Sequence, residues 1–147
     1  MRRKERPMIT ITTDRTQLDV DAIYDYLANE SYWAKNIPRE LVERSIEHSL
    51  CFAALDGEAL VGFARVVTDY ATFGYVADVF VLPSYRGRGI SKQLMEAIRS
   101  HPELQRLRRW HLVTRDAQGL YAQFGFGTPA HPERHMELTT GPYASRE

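Results

Sequence analysis

Apolar and polar positions follow two different periods along the chain, and the changes of period divide it into helices and strands. Apolar residues recur at helical spacing over residues 17–29 and again over PRELVERSIEHS, where Pro38 suits a first helical turn. Thr16 is placed to cap the first of these helices. The two segments predict a pair of amphipathic helices, joined by a loop that holds the adjacent aromatic residues Tyr32 and Trp33.

Short apolar or β-branched runs predict six strands. Asp56 and Gly57 separate two of these runs, and this dipeptide between strands is typical of a β-hairpin. Pro83 ends another run, since proline cannot donate to a continuing ladder. A longer helix is predicted from Ile90 and a short one over residues 117–124. The predicted strands are residues 8–12, 51–55, 59–67, 75–82, 110–114 and 133–139.

The order of these elements predicts one α/β (α+β) domain over residues 8–140, with flexible termini at 1–7 and 141–147. Hairpin-linked strands in the first half indicate antiparallel pairing. The helix that crosses to the strand at 110–114 indicates a parallel pair there. We therefore expect a mixed, mostly antiparallel central sheet flanked by helices.

Composition narrows the classes of partner. Lys and Arg number 19, as do Asp and Glu, so the net charge predicts neither nucleic acid nor an anionic membrane as a partner. Apolar runs fall short of the roughly 20 residues of a membrane span, and the basic segment MRRKERP lacks the apolar part of a secretion signal. The five histidines show no paired ligand spacing, so we expect no metal site. Cys51 is the single cysteine, interpreted as a buried thiol rather than a nucleophile, and we expect the protein to be cytoplasmic.

The stretch RGRG lies where a strand gives way to a helix. A helix start leaves backbone N–H groups unpaired and partly positive, and Gly87 and Gly89 remove side chains that would keep a large anion away. Arg86 and Arg88 add positive charge. These features are typical of a pyrophosphate site, with a simple capped turn as the alternative. GxxxxGK[ST] is absent and Lys92 occupies the third glycine position of GxGxxG, so neither ATP nor NAD is expected.

The segment DVFVLPSYRGRGIS resembles the acetyl-CoA-binding segment of the GNAT superfamily of N-acetyltransferases. The family motif is Arg or Gln, two residues, Gly, one residue, then Gly or Ala. Arg86 and Gly89 match it, and Ser91 stands in the last place as a small residue. A second segment, DAQGLYAQFGF, resembles the helix of that family with the pattern A…Y…GF, and it places Tyr121 at the family's tyrosine. The resemblance spans residues 8–138 and implies a GNAT-like sheet with a splayed parallel strand pair that binds the cofactor.

The resemblance also implies acetyl-CoA as the cosubstrate. In this family the backbone of the opened strand binds the pantetheine arm and the thioester carbonyl, and the loop amides hold the pyrophosphate. Thr114 stands where many members carry an Asn that bonds the pantetheine arm, and Asp116 is expected to cap the helix that follows. The residues expected to bind the cofactor are Val79, Phe80, Val81, Arg86, Gly87, Arg88, Gly89, Ile90, Ser91 and Thr114.

Tyr121 matches the general acid of the family. A phenol with a pKa of about 10 is protonated at neutral pH and can protonate a departing thiolate; a core tyrosine is the alternative. Members that use a carboxylate or histidine base often carry it nine or eleven residues before the motif's Arg, where this chain has Ala77 and Tyr75. Asp78, provided that a bulge turns it to the other face, Asp69, or an ordered water stay open as the base.

The family's acceptor usually enters near the loop that here holds Tyr32 and Trp33. Aromatic walls with Glu30 and Asp69 nearby suit a cationic or aromatic small amine, whereas the alternative is that Trp33 packs against the sheet. We therefore predict direct transfer of an acetyl group from acetyl-CoA to a primary amine of a small molecule in a ternary complex. A non-catalytic acyl-CoA-binding sensor, a peptide or protein N-acetyltransferase, and a structural module stay open, as does a homodimer.

Overall fold

The computed structural model describes residues 8–145 as a five-stranded sheet with helices on both faces. Residues 1–7 and 146–147, which include the N-terminal segment predicted to be flexible, lie outside the described residues. The strands are β1 (Ile9–Thr12), β2 (Leu50–Asp56), β3 (Ala59–Thr68), β4 (Phe73–Val81) and β5 (Arg109–Leu112). The α-helices are α1 (Val20–Asp25), α2 (Arg39–Glu47), α3 (Ile90–Ser100) and α4 (Gln118–Ala122).

The order of the strands in the sheet follows their order in the chain. Strands β1 to β4 pair antiparallel with their neighbours, and β5 pairs parallel with β4 after the crossover through α3. Gly57 makes the β2–β3 turn at φ +62°, a conformation that glycine adopts without strain. The predicted mixed, mostly antiparallel sheet with one parallel pair is therefore confirmed.

The first helix begins later than its apolar pattern predicts. Asp19 caps α1 by accepting a hydrogen bond from the Ala22 amide at 3.1 Å, so the prediction that Thr16 caps this helix was wrong. The Thr16 hydroxyl instead donates to Asp14, whose carboxylate caps the separate 3-10 turn Arg15–Gln17. An aspartate one residue before the helix is the nearer acceptor for the first-turn amides.

Apolar side chains form one core layer on each face of the sheet. On one face, α1, α2 and the π-helical turn Tyr26–Glu30 pack against β2, β3 and β4. On the other face, α3 covers β2, β3 and β4, and its buried positions recur at helical spacing, as the sequence predicts. The buried α3 side chains are Ile90, Leu94, Met95 and Ile98.

The predicted sixth strand over residues 133–139 does not form. The chain makes a 3-10 turn, Pro132–Arg134, and then continues without regular structure, pairing with no strand among residues 8–145. Met136 and Leu138 are 98% and 89% exposed. The prediction was wrong because the segment has strand-like alternation, yet its apolar side chains find no surface on which a ladder would bury them.

Cys51 is buried, as predicted, and burial raises the pKa of its thiol to about 11. The thiolate form is therefore scarce at neutral pH, which fits a structural role. Within residues 8–145, the helices are all too short or too polar to cross a lipid bilayer.

Candidate active site

Strands β4 and β5 separate and open a cleft between them. Their parallel pairing runs from Phe73 opposite Arg109 to Val76 opposite Leu112 and ends there. Strand β4 continues to Val81 beside β3, so from residue 77 onward its other edge pairs with no strand among residues 8–145. The cleft has a volume of about 540 Å³, within the usual range of ligand sites. This is the splayed parallel pair that the family resemblance implies.

A β-bulge in β4 turns Asp78 toward the cleft. Phe63 pairs with Phe80 and Arg65 pairs with Ala77, so two steps along β3 oppose three along β4. Asp78 adopts φ +54°, which is uncommon for a residue with a side chain. The bulge that the sequence argument required for Asp78 is therefore present.

Two donors hold the Asp78 carboxylate in this orientation. Trp33 Nε1–H donates to Oδ1 at 2.8 Å and Arg65 Nε–H donates to Oδ2 at 2.9 Å. The side chains of Arg65 and Asp78 are only 17% and 10% exposed, so the pair lies deep in the cleft. Asp78 thus connects the wall formed by Trp33 with the sheet.

The RGRG loop forms a second cavity next to the cleft, of about 240 Å³. Gly87 and Gly89 adopt φ +79° and +75°, and a Cβ added at either position would meet nothing within 4 Å. Gly89 is the N-cap of α3 and offers no side-chain acceptor, so Gln93 is the first amide of this helix bonded within the described residues. The amides of Ile90 and Ser91 therefore point into an open, positively polarised space.

Arg86 fixes the shape of this loop. Its Nε–H donates to the Val81 carbonyl at 3.1 Å, and Nη2 donates to the Tyr26 hydroxyl at 2.9 Å. The guanidinium of Arg88 lies 5.0 Å from the centre of the Tyr85 ring. The Arg86 side chain is consequently used by the protein itself, and the backbone amides are the groups left to bind a phosphate.

Tyr121 lies in α4 and lines the cleft. Its hydroxyl has no hydrogen-bond partner among residues 8–145, and because no fully buried polar side-chain atom there lacks a partner, this oxygen must reach solvent. Burial, and next the nearby Tyr32 and Asp116, raise the pKa of Tyr121 to about 12. The site thus presents a protonated phenol free to donate to a ligand.

Thr114, and not Asp116, caps the turn that leads into α4. Thr114 Oγ1 accepts a hydrogen bond from the Ala117 amide at 3.0 Å, whereas Asp116 makes no side-chain cap and is exposed at the cleft. The prediction for Asp116 was wrong because the threonine hydroxyl lies three residues before the amide and reaches it first. Thr114 also lines the cleft, on the side of β5.

Tyr32 and Trp33 form an aromatic wall of the cleft. Their rings meet edge to face at 5.1 Å. The Arg115 guanidinium lies 3.8 Å from the Tyr32 ring centre, and the Arg115 amide donates to the Tyr32 hydroxyl at 3.3 Å. These contacts join the loop after α1 to the loop after β5 across the cleft. Trp33 is 41% exposed, so it faces the cleft as well as the protein.

The structure does not bring Asp69 to the cleft. Its carboxylate accepts the Thr72 hydroxyl and the amides of Ala71, Thr72 and Phe73 in the β3–β4 turn, and these bonds hold its pKa well below the usual range. Glu30 is exposed and also lies away from the cleft lining. The acidic side chains that do line the cleft are Asp78 and Asp116.

The three β4 residues predicted to bind the cofactor differ in which of their groups can reach a ligand. Val79 lines the cleft, and Val81, two residues further along the same strand, lines the RGRG cavity. The Phe80 side chain points to the opposite face, where its ring stacks on Tyr26 at 4.0 Å, so only its backbone can reach a ligand. Sequence reasoning missed Arg65, Tyr75 and Tyr143 as cleft-lining side chains. Arg65 alone had a signal, a charge inside the apolar run ALVGFARVV.

Comparisons with known proteins agree with this architecture. Residues 47–128 match a family model described as an acetyltransferase (GNAT) domain. A Gibberella zeae protein named as an acetyltransferase is 30% identical over 136 aligned residues, covering 77% of this chain and 75% of that protein. A GNAT-family structure from Xanthomonas campestris shares 50% identity and a TM-score of 0.89, covering 92% of this chain and 96% of that one. An acetyltransferase structure from Clostridium acetobutylicum with acetyl-CoA has a TM-score of 0.69 at 15% identity, covering 90% and 96%.

Proposed function

The chain belongs to the GNAT family of acetyltransferases, and we propose that it transfers the acetyl group of acetyl-CoA to the primary amine of a small molecule. The observation that supports this most directly is the position of the two cavities. The cleft and the RGRG cavity lie along the same stretch of β4, with Val79 at one and Val81 at the other. A cosubstrate with a pyrophosphate at one end and a thioester at the other would span both.

The groups available in the RGRG cavity fit the pyrophosphate of acetyl-CoA. The amides of Ile90 and Ser91 lack acceptors within the described residues, and the glycines leave the space in front of them free. Lys92 lines the same cavity and adds a positive charge. The unpaired edge of β4, beyond its last pairing with β5, offers backbone groups to the pantetheine arm and to the thioester carbonyl. Thr114 would meet the arm from the opposite side.

Tyr121 is the proposed general acid. Its pKa of about 12 keeps the phenol protonated at neutral pH, and its hydroxyl lacks a partner among residues 8–145. When the amine attacks the thioester carbon and the carbon–sulfur bond breaks, the phenol donates its proton to the leaving sulfur. The phenolate left behind is strongly basic, so it regains a proton from solvent readily, and the proton that the amine loses balances the one given to sulfur.

Asp78 is the proposed proton acceptor, directly or through a water molecule. Each carboxylate oxygen can accept more than one hydrogen bond, so the bonds from Trp33 and Arg65 leave capacity for the amine or a water. The bulge places this carboxylate in the cleft with Tyr121. Direct attack in a ternary complex is favoured because the cysteine of the chain, Cys51, is buried and lines neither cavity.

A small-molecule acceptor is favoured over a peptide by the contacts of Tyr32. Its ring and hydroxyl are joined to Arg115 across the cleft, which interrupts the open groove that an extended peptide needs. Aromatic side chains from four segments of the chain surround the space, as suits a compact amine. The test is calorimetric titration with acetyl-CoA, followed by thiol release against a panel of small amines and short peptides.

Binding with release that depends on a small amine supports the proposal. Release that depends only on peptides would replace the small-molecule acceptor with a peptide. Binding with no release across the panel would favour a non-catalytic acyl-CoA sensor, and failure to bind acetyl-CoA would refute the cofactor site.

A further inference from the structure

Arg65 places a positive charge at the deep end of the cleft. Acetyl transfer to a simple amine does not need a positive charge there. Arg65 lies in the middle of β3, its side chain is 17% exposed, and it lines the cleft. Desolvating a guanidinium is costly unless its N–H groups find partners. The partners of Arg65 therefore indicate what else the cleft accommodates.

The protein uses only part of the Arg65 guanidinium. Nε–H donates to Asp78 at 2.9 Å and Nη1 donates to the Ser49 hydroxyl at 3.0 Å. Nη2 has no acceptor in the part of the chain that the structure describes, and since no fully buried polar side-chain atom there is unpaired, it reaches solvent. Ser49 is buried, and its carbonyl in turn accepts from Arg15 at 2.7 Å. Arg65 is thus held rigidly, with one end free for a ligand.

The charges of the cleft are arranged for a ligand that carries both signs. Arg65 and Asp78 lie together at the deep end, and the exposed Asp116 lies at the loop after β5. A carboxylate on the ligand can accept hydrogen bonds from a guanidinium that is already oriented, at little further cost in side-chain entropy. An ammonium group next to this carboxylate, on the same ligand, would then face Asp78, the proposed proton acceptor.

From this arrangement we infer that the acceptor is an amine that also bears a carboxylate, as an amino acid does, and that Arg65 binds this carboxylate through Nη2. The inference rests on the proposed function and narrows its substrate class. The aromatic side chains of Tyr32, Trp33 and Tyr75 surround the rest of the cleft and would contact the substituent of the amino acid. The amine lies beside Asp78 and loses its proton there before it attacks the thioester.

The test compares amino acids with their carboxamides, which keep the shape and remove the negative charge. The standard amino acids and their amides are assayed for acetylation, and their equilibrium binding is measured calorimetrically with CoA present. The amine of an amide loses its proton more readily, because the neighbouring carboxylate of the acid favours the ammonium form. A preference for the acid therefore reports binding of the carboxylate. We expect the acid of the preferred pair to exceed its amide by about 10- to 100-fold in kcat/KM.

Variants at Arg65 identify the group responsible. In Arg65→Gln the preference for acid over amide should fall to about one, and Arg65→Lys should retain part of it. The ratio of two substrates on one variant cancels a general loss of activity, and thermal unfolding checks that each variant folds. Arg39→Gln is the matched control, since Arg39 pairs with Asp21 and Glu43 on the surface and does not line the cleft. Its ratio should equal that of the wild type.

The outcomes separate this inference from the proposed function. Amides or simple amines that react as well as the acids would overturn the carboxylate site and leave the acetyltransferase standing. Acids that bind with an Arg65-dependent preference but are never acetylated would support the site and refute acetyl transfer to them. Acids that neither bind nor react would overturn the inference, as would a preference that survives in Arg65→Gln.

Discussion

Replacing Gly89 with tryptophan tests the phosphate site while sparing the fold. A Cβ at Gly89 meets nothing within 4 Å, so the indole can project into open space. That space is the cavity of about 240 Å³ in front of the first amides of α3. Gly57 gives a matched control, because it also has a positive φ and nothing within 4 Å, but it lies in the β2–β3 turn outside both cavities.

We expect a small loss of stability in both variants and a large loss of acetyl-CoA affinity in Gly89→Trp alone. In both variants the cost to the fold is the left-handed backbone, about 1–2 kcal/mol, or about 3–6 °C in Tm for a chain of this length. Only Gly89→Trp blocks the amides that would bind the pyrophosphate. Losing two charge-assisted hydrogen bonds of about 1.5 kcal/mol each weakens acetyl-CoA binding by at least about 100-fold.

Calorimetric titration with acetyl-CoA and a thermal melt of the same samples measure both quantities. We expect Gly57→Trp to bind like the wild type and Gly89→Trp to bind at least about 100-fold more weakly, with similar melting temperatures. A folded Gly89→Trp protein of unchanged affinity would refute the pyrophosphate site at RGRG. Equal loss of affinity in both variants would show that the effect comes from stability.

Four further predictions concern single residues. Tyr121→Phe should lower kcat by about 100-fold or more with little change in acetyl-CoA affinity, by steady-state kinetics and calorimetry; full activity would end its role as acid. Because the pKa of Tyr121 is raised to about 12, its protonated form persists to high pH, so kcat should show no alkaline fall from this group below about pH 10. Asp78→Asn should lower the free energy of unfolding, measured by urea denaturation, by about 3 kcal/mol, since it leaves the partly buried guanidinium of Arg65 without its counter-charge; a loss below about 1 kcal/mol would contradict this. Cys51 should resist a thiol reagent in the native protein and react on unfolding, because burial raises its pKa to about 11, and rapid native labelling would disagree.

Features encoded by local chemistry could be predicted from the sequence. The Asp56-Gly57 turn and the helix start after RGRG depend on glycine conformations and on the period of neighbouring residues, and both form as expected. The two family segments also predicted the separation of β4 and β5 and the position of Tyr121 in the cleft. These features required only short stretches of chain.

Features that depend on contacts between distant segments could not be predicted. The sequence placed Asp78 out of phase, and only the register between β3 and β4 shows the bulge that turns it into the cleft. In the sequence, Asp69 and Asp78 are equivalent candidates for the general base. Only the structure shows that amides of the β3–β4 turn bind the Asp69 carboxylate. Tyr143 lies in a tail without regular structure, so no periodicity pointed to its place at the cleft.

We propose that the cleft between β4 and β5 brings acetyl-CoA and an amine together for direct transfer. Mass spectrometry of a reaction with isotope-labelled acetyl-CoA tests it most directly, by following the label in the amine, in the protein and in CoA. We expect label on the amine in equal amount to released CoA, an unlabelled protein, and loss of both products in Gly89→Trp but not in Gly57→Trp. Label that accumulates on the protein, or release of CoA without a labelled amine, would contradict it.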